Sequence, residues 1–418
     1  MARTLTPVDA HQIMNLLLRQ ATGEQALTVT DTSSFISAGE LVMATGMENV
    51  TNSVSIVMNK LIVASRAYNA RMRIVQTDEV GSYSNRARKI SFYSQNALPD
   101  GSHNTNLFTN LAAGYTSGEN GGASTKSQWE QHPAMPLEMN FAGTNVWQHC
   151  ITMYEDQLKI AFRSEEEFNR FVAGYLQEHA NDIEQEREGF YRALLLNRIG
   201  MTFDMTADMP GALVDLTTAF NTFYGTSYTT AQLLSTYLKE FSAFFTAQIK
   251  MYSDYMENRS INFHWSVPKT VGGDTFNILR HTPKRDQRLA IYAPYFRMTE
   301  ALVMPEIFNP QYLSIENYEP VTFWQAEQSK DAINITPAII ETDSTDPAYG
   351  TQIQGSAVAE DHIIAVLFDR DAVFGELQLD RADSTPLEAR KHYRNVWNTF
   401  AKNGVSDPTE NFIVFYMS

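Results

Sequence analysis

The apolar positions of this chain change period several times, and those changes divide it. Thr6-Pro7-Val8-Asp9 reads as a helix start, with a hydroxyl to cap an orphan amide, a proline for the first helical position and an acid at the positive end of the dipole. The helix it opens carries Ile13, Leu16 and Leu17 on one face and is expected to end near Gly23. A second start is read at Ser37-Ala38-Gly39-Glu40 as a capping box. Behind it Leu41, Val42, Met43, Met47, Val50, Val54, Val57, Met58 and Leu61 fit a helix bent at Gly46. From Arg71 the period falls towards two, the signature of strands. Ile74–Tyr93 and Leu137–Phe162 are the β-like legs of a long hairpin. Between them, from Tyr93 to Pro136, lie roughly forty residues rich in Gly, Ser, Asn and Thr, far beyond the ~12–15 that a structureless loop in a compact domain usually spans. An arm of that kind cannot bury itself on its own domain and needs a surface elsewhere. Ser94–Pro136 is therefore expected to be mobile in the free protein and ordered once a neighbour arrives.

Ser164-Glu165-Glu166-Glu167 is the clearest helix start, and Phe168, Phe171, Val172, Tyr175, His179, Ile183, Phe190 and Leu194 follow at spacings of three, four and seven. The helix runs to about Ile199, roughly 50 Å at 1.5 Å per residue, although Gly174 and Gly189 weaken it. Another helix is predicted over Thr230–Met256. Beyond it the chain turns β-like at Phe263-His264-Trp265, Arg288–Tyr292, Val321–Trp324, His362–Phe368 and Phe412–Tyr416, with turn chemistry at Glu341–Tyr349. There is no internal repeat and no linker that cleanly divides the chain.

Composition narrows the function classes. The chain has 418 residues, 43% of them hydrophobic, enough for a large core and more than one lobe. No secretory signal is read at the start and no stretch approaches the ~20 apolar residues of a membrane span. The lone Cys150 excludes an intramolecular disulfide framework and a Cys-based metal cluster, and suits a reducing compartment or a particle assembled in one. A net charge of −16 argues against a protein that grips phosphates.

The search for chemistry finds Asp369-Arg370-Asp371 after the apolar run His362–Phe368. Such a DxD can hold Mg²⁺ in a nucleotide-sugar transferase, or supply nucleophile and acid in a haloacid-dehalogenase-type phosphatase, because a divalent ion wants adjacent hard oxygens. The plainer reading, an acidic turn at a strand end, is preferred, since too little chain follows to supply the partners of a phosphatase. His149-Cys150 are neighbours that face opposite ways on a strand, hence no dyad, with Cys150 a small buried residue beside a surface histidine. His179 with Glu178 does not form H-E-x-x-H, and His179 is expected to pack on the apolar face with its tip on a carboxylate or carbonyl. Gly118-Glu119-Asn120-Gly121-Gly122 lacks both phosphate-loop spacings. The basic cluster Arg86-Ala87-Arg88-Lys89, near Arg71 and Arg73, is expected to pair with a neighbouring subunit's carboxylates rather than with nucleic acid. Tyr292, Tyr295 and Phe296 read as core. No catalytic, metal or cofactor site is predicted.

At Ser33-Ser34-Phe35-Ile36-Ser37-Ala38-Gly39-Glu40, Ala44-Thr45-Gly46 and Arg66-Ala67-Tyr68-Asn69-Ala70-Arg71 the chain resembles the amino-terminal region of tailed-phage major capsid proteins, nearest in look to those of small podoviruses and gut phages. A second likeness lies in His362–Phe368, Asp369–Val373, Arg390–Phe400 with Tyr393 and Trp397, and Phe412–Tyr416. The resemblance implies the α+β shell fold named after phage Hong Kong 97. Residues 1–70 would be the amino-terminal arm, 71–162 the extended loop over an adjacent subunit, and 163–201 the spine helix of the peripheral domain. Residues 202–373 would be the axial domain, and 374–418 the return strands of the peripheral domain with the C-terminal strand. Leu387, Tyr393, Val396, Trp397 and Phe400 also fit a helical stripe, but the Tyr, Val, Trp and Thr content favours strands.

The function so implied is a major capsid protein that self-assembles, through hexamers and pentamers, into the icosahedral shell around a phage's double-stranded DNA. It would be found in the virion, assembled in the bacterial host cytoplasm, without cofactor or membrane. The short first helix leaves no room for a built-in scaffold, so a separate scaffolding protein is expected, with a portal and decoration proteins as further partners. Shell physics agrees: pair contacts near ~1 mM, about −4 kcal/mol, multiply when each subunit engages several neighbours. An acidic interior would repel packaged DNA and make no sequence-specific contact with it. Lys126 in the loop could in principle join an Asn of a neighbour. Two alternatives stay open: an encapsulin-type nanocompartment, and an Mg²⁺-dependent transferase or phosphatase on Asp369 and Asp371.

Overall fold

The structure, a computed structural model, describes residues 7–22, 28–45, 72, 74–79, 86–94, 134–143, 145–165, 168, 177–271, 274–303 and 318–418. The helices are α1 (Pro7–Thr22), α2 (Thr32–Ala44), α3 (Glu155–Ala161), α4 (Gln177–Asp204), α5 (Leu216–Tyr224), α6 (Thr230–Leu233), α7 (Leu238–Glu257) and α8 (Ala293–Val303). The strands of the hairpin and of the two larger sheets are β1 (Gln76–Glu79), β2 (Arg86–Phe92), β3 (Pro136–Ala142), β4 (Asn145–Tyr154), β5 (Leu213–Asp215), β6 (Gln287–Tyr292), β7 (Tyr318–Val321), β8 (Ile363–Asp369), β9 (Val373–Ser384), β10 (Tyr393–Ser406) and β11 (Phe412–Tyr416).

Helix α1 spans the predicted residues, but its buried stripe is Met14, Leu17 and Leu18, while Leu16 is 41% exposed. It packs on Phe35, Ala38 and Val42 of α2, and both lean on Ile151, Phe162, Phe168 and Val396. Helix α2 begins earlier than the capping box read at Ser37. Asp31 accepts from the Ser34 amide at 2.7 Å, and the Asp31 amide donates back to Ser34 Oγ at 3.0 Å. The serine at the third helical position does the work usually given to Glu or Gln, which is why the pattern missed it. The bend expected at Gly46 lies outside the described residues.

One four-stranded sheet has the order β1-β9-β10-β4, with β1 parallel to β9 and the other pairs antiparallel. Strands, not a helix, therefore cover the ambiguous stretch around Tyr393–Phe400. The predicted second leg Leu137–Phe162 divides: β3 returns along the hairpin, β4 joins this sheet, and Glu155–Ala161 is helical. Helix α4 crosses the sheet where Gly375 and Gly404 stand directly opposite each other on β9 and β10. A Cβ on Gly404 would fall 2.3 Å from Leu194 Cδ2, and one on Gly375 would fall 2.9 Å from Tyr191 Cε1. The missing side chains are what let the helix lie so close.

The second sheet has the order β5-β11-β8-β6-β7. All of β8 is buried, which explains why it reads as a continuous apolar run instead of an alternation. Ile364, Leu367, Ile413 and Phe415 face the Phe-rich core of α5, α7 and α8. Ile363, Val366, Phe368, Phe412 and Val414 face Leu195, Leu196 and Ile199 of α4, together with Trp324. Trp324 is fully buried and donates its indole N–H to the Ile363 carbonyl at 2.7 Å. Helix α4 thus serves both sheets. It continues past the predicted end at Ile199 because its last turns are still covered. The start of this helix pattern, from 169 to 176, is outside the described residues.

Two further expectations change. The helix read over Thr230–Met256 is two helices, α6 and α7, separated by a turn; α6 is closed by a reciprocal cap between Thr229 and Gln232. Phe263-His264-Trp265 is not a strand but a buried bend: Phe263 and Trp265 pack in the core, while the His264 ring meets Asn411 Oδ1 at 3.1 Å and the Ile278 carbonyl at 2.9 Å. Gly404→Val should overpack the α4 crossing and lower the unfolding free energy by about 1–3 kcal/mol, as read by urea denaturation; a variant as stable as the parent would show that the helix does not sit on these strands.

Candidate functional site

Strands β2 and β3 form the predicted hairpin, pairing Arg86 with Ala142 through to Phe92 with Pro136. Its expected tip, including Gly118–Gly122 and Lys126, lies outside the described residues. The alternation along β2 sorts the side chains. Lys89, Ser91 and Tyr93 point to the chain's own body, whereas Arg88, Ile90 and Phe92 point out, Ile90 and Phe92 being 53% and 57% exposed.

The inward face meets the link 407–411 that joins β10 to β11 and so carries the chain from one sheet to the other. Lys89 Nζ bonds Asp407 Oδ2, sits 2.5 Å from Glu410 Oε1 and donates to Thr409 Oγ1 at 3.1 Å. Arg280 adds bonds to Ser91 Oγ at 2.6 Å and to the Thr409 carbonyl at 3.0 Å, and lies 3.2 Å from Glu410. From the far side comes Arg198 of α4, fully buried over the Phe412 ring at 4.7 Å. It donates to Thr202 Oγ1 at 3.1 Å and to the Glu410 carbonyl at 3.3 Å. Burial lowers the Arg198 guanidinium to about 10, with Asp407 and Glu410 opposing. Burial pushes the Asp407 carboxyl up, but Lys89 and Thr409 outweigh it and hold it below its usual range. For Glu410 burial wins over Lys89 and Arg280, and the group is raised.

This corrects the basic-cluster expectation. Lys89 is spent on carboxylates of its own chain, and Arg88 pairs across the ribbon with Glu138 at 2.7 Å. The side chains of Arg86, Arg71 and Arg73 are outside the described residues. Sequence reading missed Asp407, Thr409, Glu410 and Asn411 because it passed from one apolar strand to the next. The signal was the polar run Ser406-Asp407-Pro408-Thr409-Glu410-Asn411 lodged between them.

The Asp369-Arg370-Asp371 motif is the acidic turn preferred on sequence grounds. Asp369 closes β8, accepts from Thr282 Oγ1 at 2.7 Å and receives the Asp371 amide at 2.9 Å. Burial pushes its carboxyl up against those bonds. Asp371 faces solvent and pairs with Arg370 Nε at 3.2 Å. Both border an open cavity of about 530 Å³ whose other walls include Arg259, Arg280, His281, Arg285, Asp286 and Glu410. With arginines interleaved among the acids, the set suits ion pairing better than an Mg²⁺ ion. Among the described residues no group of three or more His, Cys, Asp or Glu is arranged to hold a metal.

His149 and Cys150 do face opposite ways, but their exposures differ from expectation. His149 turns towards α4, where its ring meets His179 edge-on at 4.9 Å and lies 3.8 Å from Asp182 and Glu186 carboxylate oxygens. Cys150 is only half-buried, its thiol raised by burial. His179 is buried as predicted, yet its tip meets the Asn398 amide and not a carboxylate or carbonyl. Burial first, then His149, lower it to about 4 against Asp182. Tyr295 and Phe296 are core, and Tyr292 packs at its margin.

The chain is similar to a capsid chain of Staphylococcus phage Andhra, with a TM-score of 0.51 and 11% identity, covering 84% of this chain and 85% of that one. It also matches a chain of the native bacteriophage P68 head fiber and inner core protein structure (TM-score 0.47, 8% identity, 82% and 83% covered) and one of the cyanophage Pam1 capsid (0.42, 11%, 84% and 90%). A search of the curated proteins finds no match. The family described as Phi29-like phage major capsid protein matches residues 140–416, and the chain belongs to it. That match takes in β4, α4, the second sheet, the first sheet except β1, and the link; the likeness seen at residues 33–71 lies before it.

Lys89→Ala should leave Asp407 buried without its bonded cation and Glu410 with Arg280 alone, and cost about 3–5 kcal/mol at neutral pH. The depressed Asp407 contributes stability above its unfolded value and loses it as pH falls through the folded one, so the deficit against the parent should shrink below about pH 4. Urea melts across pH check both; a deficit that does not change with pH would mean the contact is packing alone.

Proposed function

We propose that copies of this chain form the icosahedral shell, in hexamers and pentamers, that encloses the double-stranded DNA of a phage. Membership of the capsid family across residues 140–416 carries the reading. Shell building by self-assembly is the family's role, and it places the protein in the virion. The finer parts are proposals. The chain acts structurally and not as an enzyme, assembly takes place in the bacterial host cytoplasm, and a separate scaffolding protein, a portal and decoration proteins take part. Packaged DNA is met without sequence-specific contacts, consistent with the net charge of −16. Among the described residues no helix is long and apolar enough to cross a membrane.

The division foreseen from sequence supplies the working parts: an arm in residues 1–70, an extended loop within 71–162, a spine helix within 163–201, an axial region over 202–373 and return strands over 374–418. Helix α4 running to Asp204 and β9 starting at Val373 sit close to two of those limits. The hairpin leaves Ile90 and Phe92 outward while its other face is held at home, as suits a loop that reaches a neighbour. The encapsulin-type and Mg²⁺-enzyme alternatives find no support in the family match.

Purified protein, alone and with the candidate scaffold of its phage, should form closed shells in negative-stain images, and Asp371→Ala should assemble as the parent does. Persistent monomers under all conditions, together with Mg²⁺-dependent turnover lost on substituting Asp369 and Asp371, would overturn the reading.

A further inference from the structure

From Leu216 to Leu238 the chain carries no Asp, Glu, Lys or Arg, although 19% of the whole is charged and the net charge is −16. This stretch is not hidden. Thr218, Thr222, Phe223, Tyr224, Ser227 and Gln232 are exposed, so α5, α6 and the turn between them present a surface patch that itself contributes no charged side chain on an acidic protein. Charges stand at its margins: Asp215 caps the Thr217 amide at 3.0 Å and accepts from Ser418 Oγ at 2.7 Å, and Lys239 and Glu240 follow Leu238 as an exposed pair of opposite sign, Glu240 near Tyr228.

Aromatic side chains stand in this patch. Phe223 is 71% and Tyr224 51% exposed, on the last turn of α5 before Gly225, whose left-handed φ of 65° ends the helix. Neither ring is loose. Phe223 meets Tyr224 edge-on at 4.9 Å and Phe244 at 5.8 Å, and Tyr224 lies 4.6 Å from the buried Phe220. Nearby, Tyr228 stacks on Tyr237 at 4.0 Å. Rings held in place by packing but open to water lose little entropy on docking, which is the character of an interface anchor.

We propose that this patch is a contact between copies of the chain, with Phe223 and Tyr224 as its anchors. The inference rests on the shell-forming role and names a surface that role uses. Charge argues for a second copy as the occupant. Identical chains at −16 repel one another, and like-charge juxtaposition across an interface is costly. A surface whose own side chains carry no charge at neutral pH lets identical regions approach at less of that cost. A basic partner would find carboxylates only at the margin, Asp215 and Glu240, and nucleic acid would find only Lys239 there.

The test uses the full chain. Phe223→Asp combined with Tyr224→Asp should keep the parent's circular dichroism and melting profile but raise the concentration needed for shells by about ten-fold or more, read by sedimentation and negative stain. A photo-crosslinking residue placed at Thr222 keeps the proposal testable if that variant misfolds. In assembled particles it should join two copies of this chain. Assembly of the double variant at the parent's concentration, or crosslinks to another virion protein alone, would overturn the patch while leaving the shell role intact. A parent chain that forms no particle under any condition would remove the shell role itself, and the patch with it.

Discussion

The chain passes from one sheet to the other through the short link 407–411, and that passage is buried. Backbone and side-chain polar groups there have no water to fall back on, so each needs a partner in the protein. Asp407 satisfies the Thr409 amide and hydroxyl, Asp407 and Glu410 take Lys89, and the Glu410 carbonyl takes Arg198. Asn411 donates to Thr282, which in turn donates to Asp369. The partners come from the hairpin, from α4 and from the edge of the second sheet. One buried polar junction therefore sets how three parts of the molecule lie against each other.

Helix α4 supplies the rigid counterpart. Glycines at 375 and 404 bring it down onto the first sheet, and a row of Leu195, Leu196 and Ile199 seals it to the second. Ribbon β2–β3 then has one face committed to its own body and the other left open. A shell subunit needs this division. Its interior contacts fix a shape that can be repeated, while many modest outward contacts decide how copies meet.

The residues that looked most like chemistry became structure. Asp369 is a strand end whose carboxylate closes a turn, and Asp371 balances Arg370 at the surface. His179 fills a place between α4 and β10 as a neutral ring, with His149 across from it. The fold is shared with the Andhra capsid chain at 11% identity, so a similar backbone path is reached with mostly different side chains.

Local signals were legible without coordinates. The start of α1, the hairpin turnover between Phe92 and Pro136, the apolar strands β8 and β11 and the strand character of β10 all follow from period, caps and propensity within a short window. The capsid-like carboxy-terminal motifs were readable in the same way, as short apolar runs in order, and they fall within the family match. What the sequence alone determined was thus most of the succession of elements. Only the tertiary structure decided who pairs with whom. Lys89 meets Asp407 across more than three hundred positions of chain, α4 is shared between two sheets, and the surface at α5 shows its aromatic rings only once Phe220 and Phe244 are packed beneath them. The physical reason is range: a cap or a period is set by neighbours in the chain, whereas an ion pair or a buried face is set by whatever the fold brings near.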